Sequence, residues 1–578
     1  MIAMLIVLAI AFSQYLQLKH LPGPYYGGDL YSHHGFALNY FANGLWSDPY
    51  FVGEVPFYPW LGNLLFMAVS LLPGISLMKA EMFIGLLTTV LSALAFWFLG
   101  WQLFKNQTWA LVFLLLSLVT RGIPDGAPNL VPWMITIPAW FAFWLRAEET
   151  HKLRDKILAG VFMGATGLAH VAFFLAGMGV YAFTVVVETL RQPHKKTAII
   201  NAVKMYGPML VAGALVALLF YGPIIVKYHA KSINPLFEYN GPAIENLGIG
   251  WAVKTLFQTT FNFSSLAQGV LSVLTIIGLL VCVLNWKHKT ARYAVLWYIA
   301  GSLTPLHHLV TRPLLGSWIL PTHVWGITIA LLVFAVYGIR TVMQYAEKKW
   351  ANAQRHENAE HSRELDERKT FAQVIVLVGV VLLVAGLFLL RYHEYQNNQW
   401  VQFGERLDPL TQAWFELGKW VTSNTGPNAV FLTHDESCFA VNGFTGRKCV
   451  FVRRTHANYF VDVEQRYADG IVMLYGDDSK FTNELLKKYS VEYVLLDMVM
   501  MQSPVLIDVK YEQYLRDNNV SFAKIRERKD PSVPNSRVFD LLSVPLQPLN
   551  PELQRKLTEA VAMNVQDQPV LRLFRVAR

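Results

Sequence analysis

The chain has 578 residues, 54% of them hydrophobic and only 15% charged, with a mean hydropathy of +0.33. Soluble proteins carry about 25% charged residues, so most of this chain does not face water. The formal net charge of +9 does not point to a nucleic-acid binder, because Lys and Arg lie in loops between apolar runs and not on one basic face.

Charge density divides the chain in two. Residues 1–391 are apolar runs broken by short polar loops, and residues 392–578 read as an ordinary soluble sequence. Three cysteines are too few for a disulfide scaffold or a zinc site. Cys438 and Cys449 form a pair if their domain is extracytoplasmic; two free thiols are the alternative.

Residues 2–18 read as an uncleaved first membrane span, since they lack a basic n-region and a small-x-small cleavage site. The loop 19–80 follows. Its "GGDLYSHHG" (27–35) gathers Asp29, His33 and His34 where a membrane helix has just ended. Its apolar "PFYPWLGNLLFMAVSLLPGI" (56–75) reads as a helix in the outer interface, with Tyr58 and Trp60 at headgroup depth.

A crossing needs about 20 apolar residues. The next runs are 81–104, 108–121, 128–146, 157–190, 205–221, 265–285, 291–309, 316–340 and 371–391. The run 157–190 is too long for one crossing and is basic at both flanks, so it breaks at "GATGLAH" into two helices with His170 at the top. The result is a polytopic α-helical protein of about eleven spans. Inner loops then hold roughly nineteen Lys and Arg against roughly seven outside, which puts the N-terminus in the cytoplasm and residues 392–578 outside. The stretch 347–369 mixes both charges at helical spacing and reads as a solvated helix.

In the second region, 408–422 is an amphipathic helix, "AVFLT", "KCVFV" and "VEYVLLD" are strands, and "NELLKKYS" is a helix. This alternation predicts a small α/β domain with a mainly parallel sheet. His434, Asp435, Arg453, Arg454 and His456 follow the first two strands; they either meet in a crevice or are solvated loop ends.

The topology collects polar residues on the outer face: Asp29, His33, His34, Asp48, Glu54, Tyr58, Arg121, His170, His307, His308 and Arg312. Asp29 stands out, because an ionised carboxylate beside apolar membrane surface is costly unless paired or solvated. Such an acid can serve as general base toward a hydroxyl, while Arg121, His307, His308 and Arg312 hold a phosphate and its developing charge. Asp29, His33 and His34 also have the ligand types for a divalent metal, at an unspecific spacing; no metal or other cofactor is firmly predicted.

An acidic residue soon after the first span and interfacial helices in the first outer loop resemble the GT-C superfamily of integral-membrane glycosyltransferases. Within "GGDLYSHHGFALNYFANGLWSDPYFVGEVPFYPWLG", Asp29 with Leu30, His33, Gly44, and Tyr58 with Pro59 are similar to the first-loop pattern of its prokaryotic members. "AGVFMGATGLAH" (159–170) is similar to their Gly-rich helix ending in His.

The resemblance implies a polyprenyl-phosphate-linked sugar donor, inversion at the anomeric carbon, Asp29 as catalytic base and a glycan, lipid or protein acceptor. The oligosaccharyltransferase motif "WWDYG" is absent from this chain, which argues against transfer to asparagine. A lipid flippase, expected to carry charge at mid-bilayer depth and an internal repeat, and a non-catalytic envelope scaffold are the alternatives.

Overall fold

The computed structural model describes residues 29–120, 131–233, 249–307, 314, 327–355, 374, 378–390, 392–393, 408–528 and 538–577. The expected span 2–18 lies outside them, as do Arg121, His308 and Arg312. The first region contains helices α1 (Asp29–Asn43), α2 (Leu61–Ser70), α3 (Leu77–Phe104), α4 (Gln107–Thr120), α5 (Ile137–Thr150, entered through a π-helical turn Pro132–Thr136), α6 (Leu153–Ala169), α7 (Val171–Arg191) and α8 (Lys195–Tyr228). It continues with α9 (Ile249–Thr260), α10 (Leu266–Leu284), α11 (Lys289–Leu303), α12 (Thr328–Arg355) and α13 (Val378–Leu390).

Among the described residues, α3, α7, α8, α10 and the segment Thr328–Lys348 of α12 are long and apolar enough to cross a membrane. The break expected at "GATGLAH" is present: His170, extended at φ −167°, separates α6 from α7. The apolar run 56–75 contains only the ten-residue α2, about 15 Å long and too short to cross a membrane.

Side-chain contacts sort the helix ends. Lys105, just after α3, pairs with Glu149 of α5; Thr290 of α11 donates to Leu103 O at 2.8 Å; Glu188 of α7 pairs with Arg292 of α11 at 2.6 Å. At the other end, Tyr228 of α8 donates to Glu54 of the first loop at 2.5 Å, and Tyr58 meets His170 edge-on at 5.9 Å. We call the latter the loop end of the bundle. Glycines set the closest crossings: a Cβ at Gly278 of α10 would lie 1.7 Å from Phe334 O of α12. Small residues permit such backbone approach where no hydrophobic effect drives helices together.

The second region holds α14 (Pro409–Asn424), α15 (Asp435–Thr445), α16 (Val463–Tyr475) and α17 (Ser479–Lys488), and strands β1 (Val430–Leu432), β2 (Lys448–Cys449), β3 (Val491–Asp497), β4 (Val505–Asp508), β5 (Ala523–Arg528), β6 (Val538–Val544), β7 (Leu557–Val565) and β8 (Gln568–Val576). One sheet runs β2-β1-β3-β8-β7 and a second β4-β6-β5. The mainly parallel sheet expected from sequence needs correction: only β2, β1 and β3 are parallel, and the other pairings are antiparallel. The cause is the β7–β8 hairpin. Gln566 and Asp567 both have positive φ (50° and 62°), as a two-residue type I′ connection requires, and β8 returns beside β3.

Cys438 and Cys449 are joined by a disulfide with Cα atoms 6.2 Å apart. The first loop and this domain form one hydrophobic core, in which Tyr31, Phe36, Tyr50, Phe51 and Phe57 pack with Trp414, Phe431 and Phe439. A Cβ at Gly35 of α1 would lie 2.4 Å from Asn442 Oδ1 of α15, and one at Gly443 of α15 would lie 3.0 Å from Tyr31 Cβ. The boundary drawn at residue 391 therefore separates segments that fold around each other.

Candidate functional site

Helix α1 begins at Asp29 and carries His33 one turn later, followed by His34. Consecutive helical residues point about 100° apart, so the two histidines meet different neighbours. Buried His33 places Nδ1 3.2 Å from Asn63 Oδ1 of α2. The His33 ring also stands edge-on to Tyr58 at 5.0 Å and to Phe36 at 5.7 Å.

Tyr58 in turn joins His33 to His170. His170 Nδ1 accepts the Ala172 N–H at 3.2 Å, capping α7. In the neutral ring the proton is then on Nε2. Thus His33, Tyr58 and His170, all selected from sequence, belong to one neighbourhood at the loop end, and His33 lies on the helix that begins at Asp29.

His34 forms a different pair: its Nδ1 lies 3.1 Å from Glu81 Oε2 of α3, both side chains buried. Glu81 was not among the residues selected from sequence, and its Oε1 has no hydrogen-bond partner among the described residues. Its signal was available, because Glu81 is the one acid in the 28 residues of α3 and intramembrane acids are costly and functional. Asn63, the other missed residue, is the only amide in α2.

Asp48 and Glu54 have structural surroundings. Fully buried Asp48 accepts from Tyr50 N and Phe51 N, both at 2.7 Å, and from Asn458 Nδ2 at 2.7 Å. Burial pushes its carboxyl up to about 6, although Lys448 and these bonds pull the other way. The Lys448 ammonium bonds Asn39 Oδ1 at 2.5 Å, Ser47 Oγ at 3.0 Å and the Asp48 carbonyl. Burial presses it down to about 8. Glu54 is held below the usual carboxylate range: burial opposes this, but Lys227, 2.6 Å away, and Tyr228 outweigh it. These contacts tie the first loop to the second domain and to α8.

The residues after β1 and β2 do come together, partly buried and paired with one another and with neighbouring carboxylates. His434 Nδ1 lies 2.8 Å from Asp435 Oδ1, Tyr467 donates to Asp435 Oδ2 at 2.7 Å, Arg453 pairs with Glu436, and Arg454 pairs with Glu464. Burial would raise the Asp435 carboxyl, but His434, Tyr467 and Arg454 bring it to about 2. These cations are spent on carboxylates of their own domain.

Of the residues expected to hold a phosphate, His307 ends a 3₁₀ turn, Thr304–His307, after α11. Arg121, His308 and Arg312 lie outside the described residues. Among the described residues no group of three His, Cys, Asp or Glu could hold a metal ion.

No protein-family model matches the chain, and no curated protein matches it in sequence. Solved structures do match its fold. A variant of the arabinofuranosyltransferase AftD from mycobacteria superposes with a TM-score of 0.50 at 12% identity, covering 100% of this chain and 41% of that one. The oligosaccharyltransferase AglB of Archaeoglobus fulgidus, in complex with an inhibitory peptide and a dolichol-phosphate, gives 0.47 at 12% identity over 93% of this chain and 74% of its own. ArnT of Cupriavidus metallidurans gives 0.45 at 13% identity over 94% and 97%. This chain thus spans under half the length of AftD. Its fold, apolar helices with a carboxy-terminal sheet domain, is similar to that of the AftD variant.

Proposed function

We propose that this chain, a membrane protein with the GT-C fold, is a glycosyltransferase that moves a sugar from a polyprenyl-phosphate-linked donor to an acceptor hydroxyl at the outer face of the cytoplasmic membrane. One observation carries the reading. The helix that opens with Asp29 brings His33 and His34 against buried polar partners, Asn63 and Glu81, at the end of the bundle where His170 also sits. Buried polar pairs next to apolar helices cost free energy unless satisfied, and they hold α1 in one position and rotation.

In the proposed reaction Asp29 takes the proton of the acceptor hydroxyl, and the oxygen attacks the anomeric carbon from the face opposite the phosphate. The bond from that carbon to the phosphate oxygen breaks, and its electron pair leaves on the phosphate. His307, His308 and Arg312, with Arg121, bind that phosphate and stabilise its charge. His33, Tyr58 and His170 position the donor. The disulfide supports an extracytoplasmic second domain, since such bonds persist in oxidising compartments.

The test is Asp29→Asn in the purified full-length protein, assayed against a panel of polyprenyl-phosphate sugars. Loss of a general base lowers turnover about 100-fold or more, with the thermal midpoint unchanged. A folded variant that keeps wild-type turnover removes Asp29 from the base role.

A further inference from the structure

A second polar feature of the loop end takes no part in the cluster around α1. A cavity of about 410 Å³ opens where α4, α9, α10, α12 and α13 meet, within the range of roughly 300–1,000 Å³ typical of small-molecule sites. Its lining mixes polar side chains, among them Thr260, Asn262, Gln268, Ser272, Thr275 and Thr328, with leucines and an alanine. None of the lining residues is ionisable.

Hydroxyls and amides gathered between apolar helices require partners, and several have them. Thr260 Oγ1 lies 3.1 Å from Tyr298 OH, Ser272 Oγ joins Asn262 N and O at 3.0 Å each, and Thr275 Oγ1 donates to Leu271 O at 2.8 Å. Gln268 is different. It is 8% exposed, and its Oε1 accepts from Ser264 and Ser265, but its amide nitrogen has no hydrogen bond among the described residues. The amide of a largely buried side chain thus offers two protons to the cavity, beside a Thr275 hydroxyl whose oxygen can still accept.

A lining of neutral donors and acceptors interspersed with leucine suits a polyhydroxylated ring, whose hydroxyls bond the amides and whose C–H face packs on leucine. It suits a phosphate poorly, since among the described residues the lining offers no cation. Helix α9, which supplies Thr260, also packs on the turn ending at His307.

We propose that this cavity binds a neutral sugar unit of the acceptor, so that the acceptor is a glycan. The assignment of this sugar to the acceptor rests on the transferase reading; the cavity's preference for a neutral saccharide does not.

The test uses full-length protein in lauryldimethylamine oxide, a detergent without a sugar headgroup. Calorimetry measures binding of mannobiose, galactobiose and arabinobiose, and separately of polyprenyl-phosphate sugars. At least one disaccharide is expected to bind, tenfold or more weakly to Gln268→Met and to the conservative Thr275→Val, with donor affinity unchanged. Equal binding by a folded variant, or no disaccharide binding to wild type, overturns the proposal. A matching fall in donor affinity assigns the cavity to the donor's sugar and overturns the acceptor role. Disaccharide binding that depends on Gln268, in a protein that turns over no donor, breaks the transferase reading and leaves the saccharide site standing.

Discussion

The bundle and the joint between the first loop and the second domain are both densely packed, but by different means. In the bundle, glycines bring helix backbones together and a tryptophan cluster of Trp140, Trp144 and Trp297 fills the centre. At the end away from the first loop, Glu148 accepts from Trp144 Nε1 at 2.8 Å and Tyr206 OH at 2.7 Å, while at the loop end buried Glu81 pairs with His34. In the joint, aromatic burial is combined with a buried lysine and aspartate. Helix α1 packs extensively on α15 as well as on α2 and α3. The second domain therefore packs on the helix that carries Asp29, His33 and His34, and in the proposed transferase it would fix where that helix stands.

Breaking the joint should therefore cost more function than breaking a bundle contact of the same size. Gly35→Val puts a branched side chain where even a Cβ lies 2.4 Å from Asn442 Oδ1 and 2.5 Å from its carbonyl. Backbone cannot give way as a side-chain tip does, so the expected loss is roughly 3 kcal/mol or more, at the upper end of overpacking effects. Sugar transfer should disappear while the bundle still resists proteolysis. Proteolysis that cuts bundle and joint together would show that the two are not separable.

The disulfide sharpens the same comparison from inside the domain. Cys438 on α15 and Cys449 on β2 bracket the turn beneath α1. Closing a loop of this length stabilises by roughly 2–3 kcal/mol. Cys438→Ser with Cys449→Ser should lower the domain's thermal midpoint by several degrees, and dithiothreitol should lower the wild type by the same amount. No response to either would mean that the bond does not hold the domain.

Much of this was legible in the chain because the signals were local. Apolar run lengths placed the helices, and "GATGLAH" with basic flanks marked the break at His170. The resemblance of the first loop singled out His33 and Tyr58, whose rings stand 5.0 Å apart. Pairings between distant segments were not legible. Nothing around Asp48 shows that Asn458, some 410 residues on, will take its second oxygen, so the residue looked like a ligand for substrate. Glu81 was absorbed into a hydropathy window that averaged it away. The β7–β8 turn lacks the Asn-Gly or Asp-Gly signature of its type, and the antiparallel half of the sheet went unseen.

The smallest expected effect tests whether the buried pair of the joint costs stability. Asp48, pushed up to about 6 by burial, compares with about 3.9 for an unfolded aspartate. Between those values the folded chain holds a proton that the unfolded chain has lost, so this group's contribution falls as pH rises from about 4 to about 6. Asp435, at about 2, has the opposite sense: its contribution is present above about 4 and is lost as pH drops toward 2. Asp48→Asn keeps an oxygen for Tyr50 N and Phe51 N and removes the titration. The stability difference, variant minus wild type, should then rise by about 1–2 kcal/mol from pH 4 to pH 6, the energy of one to two pKa units. Melting curves at several pH values measure it. A difference that stays flat would mean that Asp48 is charged throughout that range, and that Lys448 and the loop amides repay its burial in full.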